Sequence, residues 1–70
     1  MSIFNVIEKD FDTMDFGSVI MFLPLTEEAR RVMDEEMALE SWQMRGNGFV
    51  VDRRVAMDLI DALNENGLAV

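Results

Sequence analysis

The chain has 70 residues, half of them hydrophobic, with 14 acidic and 6 basic side chains and a net charge of −8. That length allows a single domain spanning residues 1–70 with a core barely large enough to fold alone, and the absence of cysteine leaves no disulfide or thiolate–metal site to staple it. The apolar share argues against disorder; a charge of this sign repels nucleic acid and anionic membranes and favours basic partners, but composition alone favours the simpler reading that it keeps a small domain soluble.

Residues 1 to 11 admit two readings. Ile3, Ile7 and Phe11 recur at the four-residue spacing of a helix face, yet Ile3-Phe4 and Val6-Ile7 suit a strand equally well. The reading adopted is an edge strand or extended arm within residues 1–16. These first residues carry no basic region and acids appear by Glu8, so no signal peptide is expected and the expected location is cytoplasmic. Asp10, Asp12 and Asp15 then belong to a polar connection ending at Gly17. Their spacing touches that of a calcium loop, but Met14 and Met21 stand where a third ligand and a closing glutamate belong, and Asp15 where the glycine belongs. A solvated acidic loop without metal is expected.

Ser18 to Leu23 (SVIMFL) is continuous, β-branched and aromatic, the pattern of a buried strand, and Pro24 stops it. The whole apolar run from Val19 to Leu25 is far too short to span a bilayer. Thr26 is a good N-cap, and Glu27 and Glu28 place negative charge at a helix start, where the dipole favours it. The helix is predicted to run from Glu27 to about Ala38, with Ala29, Val32, Met33 and Met37 as its apolar face and Glu27/Arg31 and Arg30/Asp34 as pairs. Glu36 projects into that stripe. Either the helix ends early, or Glu36 meets an arginine such as Arg45, or this edge faces a partner.

Gly46-Asn47-Gly48 is a strong turn signal, and the alternation of Trp42 and Met44 with polar residues allows a small hairpin onto Phe49–Val51. Trp42 is expected as a plug over the core edge rather than an exposed anchor, though a lone tryptophan in a loop fits either role. Met21, Met33 and Met37 are expected in the core. Phe49-Val50-Val51 is a strand, Asp52 an N-cap, and Val55, Ala56, Leu59, Ile60 and Leu63 form the apolar stripe of a second helix. Met57 projects away from that stripe. Asn66-Gly67 provides a left-handed exit, Leu68–Val70 a final short strand, and the whole a compact βαβ unit.

With no His, Cys or Tyr and a single lysine, a Ser–His or Cys–His nucleophile is excluded, and no glycine-rich phosphate loop occurs. An enzyme is therefore not expected, nor is a cofactor. The informative chemistry is acidic. Asp58, Asp61 and Glu65 follow i, i+3, i+7 spacing on the outer side of the second helix. Glu35, Glu36 and Glu40 add acids at the end of the first. The second helix also reverses the charge order that its dipole prefers, with Arg53 and Arg54 at the start and Glu65 near the end. Two readings stand side by side: a functional surface, or arginines that bind acids elsewhere such as Asp12 or Asp15. Acids three or four residues apart rise by roughly 4.5–6 Å along a helix, within reach of the phosphate spacing of one nucleic-acid strand. Such an array suits a groove lined with Arg and Lys.

The size, the acidity and the runs PLTEEARRVMDEEM and FVVDRRVAMDLIDALNENGLAV resemble short accessory proteins of phages and mobile elements. Some of that broad class are anti-CRISPR proteins, several of them acidic nucleic-acid mimics. The resemblance covers Pro24 to Val70 and carries over no functional residue. The expected fold is α+β, with two helices on one face of a three- or four-stranded sheet. The expected function is a non-enzymatic inhibitor that binds a basic nucleic-acid-handling protein or complex, such as a CRISPR effector, and blocks its nucleic-acid site. It would do so through Asp58, Asp61, Glu65, Glu35, Glu36 and Glu40, with neither nucleic acid nor membrane as a direct partner. The runner-up is a structural or regulatory homodimerisation domain whose acidity serves solubility.

Overall fold

The structure is a computed structural model, and it describes residues 9–70. The alternative readings of Ile3-Phe4 and Val6-Ile7 lie outside the described residues. From Phe11 onward the chain forms an α+β domain. Its elements are β1 (Phe11–Asp15), β2 (Val19–Pro24), α1 (Glu27–Glu35), β3 (Met44–Arg45), β4 (Gly48–Asp52) and α2 (Arg53–Glu65), with a single 3-10 turn at Ser41–Gln43 before β3. The sheet is antiparallel throughout, in the order β1-β2-β4-β3. The expected polar connection over Asp12 and Asp15 is thus largely an edge strand. Only Phe16–Ser18 turns the chain, with Gly17 at φ 94° and its N–H donated to the Asp15 carboxylate.

Strand alternation puts Phe11, Ile20, Phe22, Phe49 and Val51 on one side of the sheet, where both helices pack. Phe22 and Phe49 are direct cross-strand partners and stack at 5.2 Å between ring centres, while Phe11 meets both edge-on. Ala29, Val32 and Met33 of α1 and Ala56 and Leu63 of α2 close this core, with Met37, Leu39, Leu59 and Ile60 at its margin. Val55 departs from the expected stripe. It is 52% exposed, because the stripe centres on Ala56 and Leu63 and leaves Val55 on the flank.

Helix α1 begins as expected, with Thr26 Oγ1 accepting from the Ala29 N–H. It ends at Glu35, three residues before the expected Ala38. Glu36 becomes the C-cap, which takes its carboxylate out of the apolar stripe and lets it pair with Arg31 rather than Arg45. The expected pairs of Glu27 with Arg31 and Arg30 with Asp34 give way to Arg31 with Glu28 and Glu35, and to Arg30 with the Asn47 carbonyl. Helix α2 begins on Asp52, whose carboxylate accepts from the Arg54 N–H, and Gly67 exits at φ 85°.

The C-terminal third keeps its strand–helix–return course. The return differs in one respect: Leu68–Val70 is irregular rather than a strand. Its hydrogen bonds to the start of β1 converge on Ala69 instead of alternating along a ladder. The Ala69 carbonyl accepts from both Asp10 and Phe11, and the Ala69 N–H goes to the Asp10 carboxylate. Among the described residues no helix is long and apolar enough to cross a membrane.

Candidate functional site

Two surfaces stand out, on opposite sides of the sheet. The first is the outer pole of α2. With 3.6 residues per turn, Asp58, Asp61 and Glu65 fall roughly opposite Ala56 and Leu63, and all three are exposed. None of them forms an ion pair among the described residues. Their charge is therefore uncompensated along this ridge. Met57 flanks it at 63% exposure, as its projection away from the apolar stripe implies.

The other three expected acids are differently placed. Glu35 and Glu36 each sit 3.5 Å from Arg31, which also grips Glu28 at 2.5 Å. The Arg31 hydrogen bond holds the Glu28 carboxyl below its ordinary pKa, and the same acids raise that of Arg31. Glu40 accepts from the Trp42 indole N–H at 3.1 Å. Glu28, Arg31 and Glu36 line one wall of a cleft of about 190 Å³ between the helices, whose other wall is Leu63, Asn66 and Leu68. The ridge residues do not line this cleft. The six acids thus form two groups, one on α2 and one at and beyond the end of α1, rather than one continuous array.

The reversed charge order at the start of α2 has a structural cause for each arginine. The Arg53 guanidinium reaches back to Asp15 and donates to the Gly17 carbonyl at 2.7 Å, closing the β1–β2 turn. The hydrogen bond from Arg53 holds the Asp15 carboxyl below its ordinary pKa. Arg54 turns to Asp52 at 3.4 Å rather than to Asp58. Among the described residues no group of three acids is placed to hold a metal ion.

The second surface is the side of the sheet that the helices leave uncovered. Met14, Met21 and Val50 are cross-strand partners on this side, with Val19 and Leu23 beside them. Phe16 and Trp42 stand over its margin at 58% and 55% exposure, and Met14 is 51% exposed. Together with Val19, Met21, Val50 and Arg45, the two aromatic rings line an apolar groove of about 330 Å³. Trp42 is therefore not a plug over the main core, and Met21 does not belong to it. The helices occupy the opposite face, so Met21 and Trp42 belong to the uncovered side of the sheet. The signal was in the sequence. Val19–Leu23 and Phe49–Val51 are unbroken apolar runs, a composition typical of strands covered on both faces. Strands covered on one face alternate instead.

Comparison with family models, curated proteins and solved structures finds no match to this chain.

Proposed function

We propose that this chain is a non-enzymatic acidic inhibitor of a basic nucleic-acid-handling protein or complex, a CRISPR effector being the leading type. It binds through the outer pole of α2 and occludes the partner's nucleic-acid site. The observation that supports this reading is the ridge itself: Asp58, Asp61 and Glu65 are exposed, unpaired among the described residues and stacked along one helix. Successive rises of about 4.5 and 6 Å follow from the helical step. They match an arginine- and lysine-lined groove better than a random scatter of charge. Glu35, Glu36 and Glu40 act as a secondary contact, since Arg31 and Trp42 already engage them.

The test is competition. Purified effector complexes loaded with fluorescent nucleic acid are titrated with the wild-type chain and with the variant Asp58→Asn, Asp61→Asn, Glu65→Gln. The wild-type chain is expected to displace the nucleic acid at low salt and to lose potency as salt rises. A triple variant that competes as well as wild type sinks the mimic mechanism.

A second reading, a self-associating domain, is favoured by a different observation. The helix-free face of the sheet carries Met14, Phe16 and Trp42 largely in solvent.

A further inference from the structure

The uncovered face carries charge in an ordered way. Asp12 on β1 pairs with Leu23 on β2, and Arg45 on β3 pairs with Gly48 on β4. The β2–β4 ladder, with Phe22 opposite Phe49, continues to set Leu23 beside Gly48. One row therefore crosses all four strands, running Asp12, Leu23, Gly48, Arg45. Strand alternation turns these residues to the same side as Met14, Met21 and Val50. The row is acidic at one edge, apolar in the middle and basic at the other edge. Neither Asp12 nor Arg45 has an ion-pair partner among the described residues. Arg45 instead donates to the Trp42 and Met44 carbonyls, which holds its guanidinium beside the groove.

We propose that a second copy of this chain covers this face, related by a two-fold axis parallel to the strands, an arrangement that presupposes the self-association reading and gives it a geometry. Rotation about such an axis lays β1 of one copy over β3 of the other without shifting position along the strands. Asp12 then faces Arg45 of the second copy, and the symmetric pair forms at the other edge. The same rotation carries Phe16, which follows β1, toward Trp42, which precedes β3. An axis perpendicular to the strands would instead bring like edges together, Arg45 near Arg45, so charge selects the first arrangement. Packed sheets lie about 10 Å apart, a gap that a long arginine and a short aspartate span together.

The area agrees with a dimer of modest strength. Phe16, Trp42 and Met14, each about half in solvent, together with the partly exposed Val19, Met21 and Leu23, present on the order of 500 Å² of side chain per copy on the usual scale for such residues. Two copies then bury about 1,000 Å², the lower bound of a specific interface. Gly48 keeps the centre of the face low. A Cβ there would meet the Met21 Cε at 3.3 Å, so the methionine lies across the glycine and levels the surface. The acidic ridge of α2 stays outside, one on each flank of the dimer.

The experiment is sedimentation of the full chain over a wide concentration range, with the emission of Trp42, the one tryptophan, as a second readout. The expected result is a monomer–dimer equilibrium whose association shifts Trp42 emission to the blue. Trp42→Ala, at an exposed position that leaves folding intact by circular dichroism, should weaken the dimer roughly 30-fold or more, the scale for truncating an aromatic anchor. Asp12→Arg alone and Arg45→Asp alone should each weaken it about tenfold or more, because each sets like charges opposite one another twice. The double variant Asp12→Arg, Arg45→Asp should recover wild-type association. A chain that stays monomeric at every concentration overturns both self-association and this geometry. A dimer that the single charge variants leave unchanged, or that the double variant fails to restore, overturns the geometry while self-association stands.

Discussion

Asp10 and Ala69 hold each other twice. The Asp10 N–H donates to the Ala69 carbonyl at 2.8 Å, and the Ala69 N–H donates to the Asp10 carboxylate at 2.9 Å. The same carboxylate accepts from the Thr26 hydroxyl at 2.7 Å, and the Asp10 carbonyl accepts from the Leu25 N–H. One residue thus joins the start of β1, the cap of α1 and the segment after α2. Asp10→Ala removes a charged acceptor from two donors and should destabilise the fold by about 1.5–3 kcal/mol, measured by urea titration.

The same contacts give Asp10 a pH signature. The bond from Ala69, then that from Thr26, hold its carboxyl below the ordinary 3.8. A lowered folded-state pKa contributes stability that is fully present above the ordinary value and lost as pH falls through the folded one. Asp15, Glu28 and Asp52 are lowered as well, by Arg53, by Arg31 and by the Arg54 N–H respectively. The thermal midpoint should therefore hold down to about pH 5 and drop below it, and Asp10→Asn should flatten that drop. An equally steep decline in the variant would assign the acid sensitivity to the other three carboxyls.

Leu63 and Leu59 lie one turn apart on α2 but differ in burial. Leu63 is 3% exposed, whereas Leu59 packs at the core margin. Leu63→Ala should cost about 2–5 kcal/mol, enough to threaten a domain this small. Leu59→Ala should cost clearly less. Equal losses in thermal denaturation would mean that the helix is rotated from its described orientation.

Gly48 is constrained by its neighbours across the ladder. A Cβ at this position would lie 2.3 Å from the Phe22 carbonyl oxygen and 3.3 Å from the Leu23 Cα, both of them backbone. Gly48→Ala must push β2 and β4 apart, at a cost of about 1–3 kcal/mol on the scale of overpacked sites. Gly46→Ala in the adjoining turn meets no atom within 4 Å but has φ of 58°, so its loss should come from conformation alone. Amide exchange separates the two, since only the first should speed exchange at Phe49 and Val51, whose N–H groups face β2.

The ridge of α2 makes a stability prediction that stands apart from its function. Glu65 closes the helix, where negative charge opposes the dipole. Glu65→Gln should raise stability by about 0.3–1 kcal/mol at low salt and by less at high salt. Asp58→Asn, mid-helix and exposed, should be nearly neutral. A large loss in either variant would reveal a structural contact for the ridge.

Much of the fold was legible in residues with a single local meaning. Thr26 and Asp52 cap the helices they precede, Gly46-Asn47 turns the hairpin, and Ala56 and Leu63 mark a buried face. The misreadings arise where local pattern has two meanings. Phe11–Asp15 has no alternation, because its inner side holds Thr13 and Asp15 after Phe11, and its edge position comes from pairing with β2. Met21 and Trp42 are apolar residues near a core, and only the side of the sheet taken by the helices decides whether they belong to it. The ridge at Asp58, Asp61 and Glu65 follows from helical period alone. Asp15 was among the expected partners of Arg53, though the choice between Asp12 and Asp15 depends on where the β1–β2 turn falls, and Arg54 takes the neighbouring Asp52 instead of a distant acid.

The tie between Asp10 and Ala69 also makes the fold a candidate for circular permutation. Since Asp10 and Ala69, 59 positions apart in sequence, are in direct contact, the segments that carry them could be joined by a short linker. New ends opened between Gly46 and Asn47 would fall in an exposed turn at the far edge of the sheet, beside a two-residue strand. Such a permutant would keep β1, β2, β4 and both helices uncut. It would also turn the contact now made last along the chain into one made between near neighbours, which should speed refolding.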